Sequence, residues 1–108
     1  MTDARVEVSA EDRSMRISLS GEIDLANAAA VEDEIREAVS NQPAVVSVDL
    51  SDLTYLDSAG VRILFTLASR LQALRIALEL IVPVGSSTRR LIELSGFESL
   101  AALRPASP

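Results

Sequence analysis

The chain has 108 residues, of which 48% are hydrophobic, and a formal net charge of −6 at pH 7. This length suits a single domain over residues 1–108, and the acidic balance argues against nucleic-acid partners, which bind through Lys and Arg. The absence of cysteine and histidine excludes disulfides, thiol catalysis and the commonest general base.

The first predicted elements are two strands and a helix. Val6–Val8 and Met15–Leu19 alternate apolar and polar residues around the polar segment Glu11–Ser14, which predicts an antiparallel pair with one face in water. From Leu25 to about Ser40, apolar residues recur at helical spacing opposite an acidic face. Asn41–Pro43 is expected to close this helix, because proline cannot continue it.

Strands and helices alternate along the rest of the chain. The pattern predicts a strand covered on both faces at Val45–Leu50, a helix from Ser58 to about Leu71, and a strand at Ile76–Val82. A short helix at Thr88–Ser95 with Gly96 as its C-terminal cap, a last strand at Ser99–Leu103 and a frayed tail over residues 104–108 follow. The expected fold class is α/β: a mixed sheet with an opening antiparallel pair and later parallel strands, flanked by three to four helices.

Neither the amino terminus nor the apolar segments indicate export or a membrane. Met1–Glu7 lacks the basic and apolar regions of a secretory signal, so we expect a cytoplasmic protein. The apolar stretches around Ile63–Leu71 and Ile76–Val82 are interrupted by polar residues well below membrane-spanning length, so no membrane insertion is expected.

Three polar segments follow strands of the predicted sheet: Gly21–Asp24, Leu53–Gly60 and Val84–Ser87. In open α/β sheets, ligands bind at the carboxyl ends of the strands. We therefore expect these three segments to meet at that edge of the sheet. Ser58 lies where the second segment becomes a helix. Unpaired N–H groups and the helix dipole at such a junction favour a phosphate.

Two other interpretations of Ser58 are a catalytic nucleophile and a helix cap. Catalysis by Ser58 is disfavoured, because the chain has no histidine or lysine to serve as a base and no Gly-x-Ser-x-Gly turn. Ser58 could instead be an ordinary helix N-cap, as could Asp24 for the preceding helix and Ser86, Ser87 or Thr88 for a later one.

Three aspartates near this segment could be taken for a magnesium site. They are Asp49, Asp52 and Asp57. Strand, turn and helix-cap roles explain them better, and no phosphate-binding glycine loop accompanies them. We therefore expect neither a metal nor a cofactor.

Three motifs occur in order over almost the whole chain: Gly21-Glu22-Ile23-Asp24, the stretch Val48–Val61 containing Asp57-Ser58-Ala59-Gly60, and Arg90–Phe97. Together they resemble the STAS domain family and, within it, the stand-alone bacterial anti-sigma-factor antagonists. The resemblance implies that the unphosphorylated chain binds an anti-sigma factor with a serine kinase fold and so frees a sigma factor.

The resemblance also implies how binding is switched off. The partner kinase uses ATP to phosphorylate the serine that matches Ser58, binding is lost, and a serine phosphatase restores it. The chain itself is then not an enzyme. Residues that support the partner-binding site or the phosphorylated serine are Asp24, Asp57, Ala59, Gly60, Arg62, Ser86 and Ser87.

Arg62 departs from the family's pattern, which often has a second glycine at this position. Its cation either tunes partner choice or attracts the phosphate, and the sequence leaves both open. Ala59 removes a second possible acceptor beside Ser58. The alternative function is a STAS module that binds without a phosphorylation cycle, in a signalling scaffold or a transport complex; the oligomeric state is left open.

Overall fold

A computed structural model describes residues 3–39 and 43–106, and these ranges contain five strands and three α-helices. The strands are β1 (Ala4–Glu11), β2 (Ser14–Ile23), β3 (Val45–Leu56), β4 (Ala77–Ile81) and β5 (Ala102–Arg104). The helices are α1 (Ala28–Ala38), α2 (Ser58–Ala73) and α3 (Ser87–Leu94), and a 3₁₀ helix spans Phe97–Ser99. No helix within the described ranges is both long and apolar enough to cross a bilayer.

The strands form one sheet in the order β1-β2-β3-β4-β5. β1 and β2 are antiparallel and joined by a hairpin, whereas every later neighbouring pair is parallel. Parallel neighbours need crossover connections, which the helices supply. The predicted mixed α/β sheet is therefore confirmed.

One face of the sheet carries the core. Alternate residues of β2 and β3, such as Ile17 and Val48, are fully buried in one cluster with apolar residues of all three helices. The intervening residues of β3, including Ser47 and Asp49, are only half-buried. The prediction that this strand is covered on both faces is therefore wrong, because the second face carries polar cross-strand pairs instead.

β3 extends beyond its predicted end because its pairing with β2 is irregular. Ser18 of β2 pairs with Asp49, but Ser20 pairs with Asp52. β2 thus advances two residues while β3 advances three, and a second irregularity follows closer to the strand end. Such bulges insert an extra residue into one strand and shift which side chains face the core.

The bulges keep the apolar residues of β3 on its buried face. Leu50, Leu53 and Leu56 are all at most 8% exposed, although three residues rather than two separate them. A strict period of two cannot accommodate this spacing. The sequence pattern therefore ends the strand at Leu50, six residues too early.

Residues in the left-handed backbone conformation follow the ends of two helices. Gly96, with φ of 81°, follows α3 and confirms the predicted C-terminal cap. α2 ends at Ala73 without a glycine, because Arg75 takes the left-handed conformation with φ of 60°. Arg75 N donates to Gln72 O and Ile76 N to Leu71 O, which satisfies the last carbonyls of α2.

The last strand is held by its final residue. Arg104 Nε lies 2.9 Å from Glu79 Oε2 of β4, and Arg104 O accepts a hydrogen bond from Val82 N at 2.9 Å. The predicted frayed tail is therefore wrong at Arg104, because cross-strand bonds order this residue. Residues 107–108 of that tail, and residues 40–42 at the predicted end of α1, lie outside the described residues.

Asp49 lies in a polar cluster on the second face of the sheet. Ser51 N donates to Asp49 Oδ1 at 2.9 Å, and the Arg16 guanidinium of β2 pairs with Asp49 Oδ2. Partial burial by itself raises the pKa of Asp49, but the hydrogen bonds from Ser51 and Arg16 outweigh burial. The pKa of Asp49 is therefore lowered from its ordinary value of 3.8.

We expect Asp49→Asn to remove part of the acid sensitivity of folding. Because the folded-state pKa lies below the unfolded-state pKa, the stabilisation is present above pH 3.8 and is lost as the pH falls through the folded-state pKa. Urea unfolding at a series of pH values measures this. Asp52→Asn, which removes an exposed carboxylate from the same strand, is the control. An unchanged acid dependence in Asp49→Asn contradicts the expectation.

Gly21 and Gly85 allow a test of steric crowding at the start of the hairpin. Both have a positive φ, but only Gly21 is crowded: a Cβ there would lie 2.3 Å from Asp3 O, whereas nothing lies within 4 Å at Gly85. We expect Gly85→Ala to lower the free energy of unfolding by about 1 kcal/mol through backbone strain. Gly21→Ala should lose a further 1 to 3 kcal/mol, roughly, through the clash. Equal losses in urea unfolding would contradict the steric explanation.

Candidate functional site

The carboxyl ends of β2 and β3 meet at the site. Ile23 pairs with Leu56 at the last position of the ladder, and Asp57 N donates to Ile23 O at 3.2 Å. Asp24 and Ser58 each follow one member of this bonded pair in the chain. The segments Gly21–Asp24 and Leu53–Gly60 therefore lie side by side, as predicted.

Asp57, and not Ser58, caps α2. Asp57 Oδ1 accepts hydrogen bonds from Ala59 N at 2.9 Å and from Gly60 N at 3.2 Å. Ser58 is the first residue of the helix, so its interpretation as the N-cap is wrong. Its side chain is exposed, and its hydroxyl makes no hydrogen bond to any residue that the structure describes.

This cap changes the expected role of the helix terminus. The sequence predicts unpaired N–H groups that favour a phosphate, but two N–H groups of the first turn already donate to Asp57. A carboxylate also occupies the positive end of the helix dipole. A phosphate on Ser58 would therefore compete with Asp57 for the helix terminus.

Gly60 allows α2 to start directly against the strand ends. A Cβ at Gly60 would lie 2.2 Å from Leu56 Cδ1 and 3.2 Å from Ile23 Cγ2. Gly60 is buried and Ala59 is half-buried, so both residues lie beneath the surface that Ser58 presents. A larger residue at position 60 would therefore clash beneath the turn that carries Ser58.

Local hydrogen bonds hold Asp24 in the loop between β2 and α1. Asp24 Oδ1 accepts from Ala26 N at 2.8 Å, and Asp24 N donates to Asn27 Oδ1 at 3.0 Å. Asn27 Nδ2 donates to Glu22 O at 2.8 Å, which ties the loop to β2. Asn27 is the residue before α1, so the helix begins three residues after the predicted Leu25 and Asp24 is not its cap. The carboxylate of Asp24 closes an Asx turn instead.

Several side chains on α2 and on the two joined segments are exposed. On α2, Arg62 and Phe65 continue the face that begins at Ser58, and Phe65 is 38% exposed. In the neighbouring segments, Leu25 is 84% exposed and Tyr55 is 50% exposed. The sequence pattern does not identify these apolar residues as a surface, because their exposure depends on the tertiary fold. Their exposure around an accessible serine is typical of a protein-binding surface.

Ser86 and Ser87 begin α3. Ser86 Oγ accepts a hydrogen bond from Arg89 N at 3.1 Å and donates one to Pro83 O at 2.8 Å. Ser86 is therefore the cap of α3 and is one of the three candidates that the sequence offered. Ser87 is the first residue of this helix and is exposed.

The segment that carries Ser86 follows β4, whose ladder with β3 ends well before the end of β3. Ile81, the last residue of β4, pairs with Asp49, which lies seven residues before the end of β3 at Leu56. No hydrogen bond among residues 3–39 and 43–106 joins Ser86 or Ser87 to the Ser58 turn. Hydrogen bonds therefore join two of the three predicted segments, whereas the ladder between β3 and β4 ends before the end of β3.

The three aspartates considered for a metal have other roles. Asp49 bonds with Ser51 and Arg16, Asp57 caps α2, and Asp52 is exposed on β3. In the part of the chain that the structure describes, no three acidic side chains are grouped in a way that could hold a metal ion.

Comparisons with known proteins match this sequence and this fold. A family model described as "Mlab, STAS domain" matches residues 6–105. The anti-sigma-F factor antagonist RsfB of Mycobacterium tuberculosis is 39% identical over 83 residues, which are 76% of this chain and 66% of RsfB, just under two thirds of its length.

Solved structures extend the comparison to the fold. The crystal structure of an anti-sigma factor antagonist from Mycobacterium paratuberculosis is 31% identical, with a TM-score of 0.86 over 96% of this chain and 87% of that chain. The Bacillus cell fate determinant SpoIIAA in its phosphorylated form is 21% identical and shares the fold, with a TM-score of 0.73 over 95% of this chain and 92% of that chain. With a family match across nearly its whole length, the chain belongs to the STAS domain family.

Proposed function

We propose that this chain is an anti-sigma-factor antagonist whose binding is switched by phosphorylation of Ser58. The similarity to RsfB and to the antagonist from Mycobacterium paratuberculosis supports this function. The observation that carries the proposal is the exposed hydroxyl of Ser58, which Asp57 relieves of the capping role. A serine that is exposed at the start of a helix can enter a kinase active site without local unfolding.

The unphosphorylated surface binds the partner. Ser58, Arg62 and Phe65 of α2, with Leu25 of the neighbouring loop, offer a neutral hydroxyl, one cation and exposed apolar area. Burying apolar side chains favours association, and a hydroxyl is far cheaper to desolvate than a charge. The proposed partner is an anti-sigma factor with a serine kinase fold, which releases its sigma factor when this chain binds.

Phosphorylation reverses the electrostatics of that surface. The partner transfers the γ-phosphoryl group of ATP to Ser58 Oγ, the hydroxyl proton leaves, and ADP is released. The phosphate brings roughly 1.5 to 2 negative charges at neutral pH beside Asp57. A contact that accommodated a hydroxyl would then have to bury a dianion, so the complex dissociates until a serine phosphatase removes the phosphate.

The chain takes part in this cycle as ligand and substrate, and we propose no catalysis or cofactor of its own. It has no histidine, cysteine or lysine. The nearest carboxylate in sequence, Asp57, already accepts two backbone hydrogen bonds. The cycle uses cytoplasmic ATP and a sigma factor, which places the proposed function in the cytoplasm.

Substitution of Ser58 tests the switch. We expect Ser58→Ala to bind the cognate anti-sigma factor as tightly as wild type, and Ser58→Asp to bind at least roughly tenfold more weakly, because a charge is placed in the contact. Isothermal titration calorimetry measures both affinities. Ser9→Asp, which adds the same charge to an exposed position of β1 outside this helix face, is the matched control and should bind like wild type.

Phosphate mapping separates the antagonist from the alternative STAS module. Incubation with the cognate anti-sigma factor and ATP should place one phosphate on Ser58, located by mass spectrometry. Equal affinities for Ser58→Ala and Ser58→Asp would refute the switch. Tight binding with no phosphate transfer would identify a module that binds without cycling.

A further inference from the structure

Arg62 lies within reach of any group attached to Ser58. The two residues are four positions apart on α2, so they share a helix face with roughly 5 to 6 Å between their Cβ atoms. Cα–Cβ bonds tilt toward the amino terminus of a helix, which directs the Arg62 side chain toward Ser58. Both residues are exposed.

The Arg62 guanidinium is available for a new partner. None of the ion pairs or side-chain hydrogen bonds within the described ranges involves Arg62. By contrast, Arg36 pairs with Glu32 and Asp33, Arg89 with Glu93, and Arg104 with Glu79. Arg62 is thus a cation that can pair without breaking an existing bond.

The same spacing already forms an ion pair elsewhere in this chain. On α1, Glu32 and Arg36 are also four residues apart, with the anion nearer the amino terminus, and their charged atoms lie 3.0 Å apart. This order of charges is the more favourable one on a helix. A phosphate on Ser58 would place an anion in the position that Glu32 holds relative to Arg36.

Two N–H groups of the first turn of α2 are occupied, and the neighbouring carboxylates repel a phosphate. Asp57 holds the N–H groups of Ala59 and Gly60, and its carboxylate repels a phosphate. The adjoining loop adds the carboxylate of Asp24 and no cation between Glu22 and Asn27. Electrostatics therefore favours pairing with a cation farther along α2.

We propose that Arg62 binds the phosphate of phosphorylated Ser58 within the same chain. This inference rests on the proposed function, since it requires Ser58 to be phosphorylated. The pairing has two effects on the partner surface. It fixes the dianion against α2, and it withdraws the Arg62 side chain from any contact that it makes with the partner.

The ionisation of the phosphate tests the pairing without a kinase. Phosphoserine is installed at position 58 during translation, and the second pKa of the phosphate is read by phosphorus NMR titration. Arg62 should favour the dianion, so wild type should titrate about 0.2 to 0.7 pH unit below Arg62→Gln, the range expected for an exposed charge pair. Salt at 1 M should shrink this difference by screening.

Matched variants exclude an unspecific charge effect. Arg62→Lys should retain part of the difference, because it keeps the charge and loses the two-pronged geometry. Arg70→Gln, which removes an exposed cation at the far end of α2, should leave the phosphate pKa unchanged. Circular dichroism of each variant checks that α2 is intact.

Two results would overturn the pairing. One is an equal phosphate pKa in wild type and Arg62→Gln. The other is titration of the Ala59 and Gly60 amide signals with the phosphate and no effect of Arg62→Gln, which would show that the phosphate has displaced Asp57. Failure of the anti-sigma factor to phosphorylate Ser58 would refute the proposed function and leave this measurement unaffected.

Discussion

The parallel pairing of β2 with β3 is the constraint on which the site depends. The two bulges let β3 continue to the level of Ile23 while Leu53 and Leu56 stay in the core. The hydrogen bond from Asp57 N to Ile23 O then joins the two strand ends. Without this pairing, the loop that carries Asp24 and the helix that carries Ser58 would be positioned independently.

Asp57 stabilises the start of α2, so the Ser58 hydroxyl is not needed for that purpose. A helix terminus needs acceptors for its first N–H groups, and a serine at the N-cap position commonly supplies one. Here the preceding aspartate satisfies two of them, and buried Gly60 lets the helix pack closely on the strand ends. The Ser58 hydroxyl is therefore free for a partner or a kinase, and modifying it removes no bond that holds α2.

Phosphorylation of Ser58 would change the charge of the surrounding surface and not the fold. Exposed apolar side chains at Leu25 and Phe65 favour association, and the carboxylates of Asp24 and Asp57 repel any further anion. A phosphate therefore alters the charge of the contact without a rearrangement of the sheet. Arg62, four residues along the same helix, is placed to bind that phosphate.

The sequence by itself determined the order of most elements, the mixed sheet and the family, because alternation, helical periodicity and three ordered motifs are local properties. It misplaced the end of β3 because bulges break the period of two, and it assigned the cap of α2 to two candidates that local pattern cannot separate. Only the tertiary structure decided between Asp57 and Ser58, since the choice depends on which side chain folds back onto the helix. Tertiary structure also decided that β4 pairs with β3 only as far as Asp49, because the register of two strands depends on contacts between residues distant in sequence.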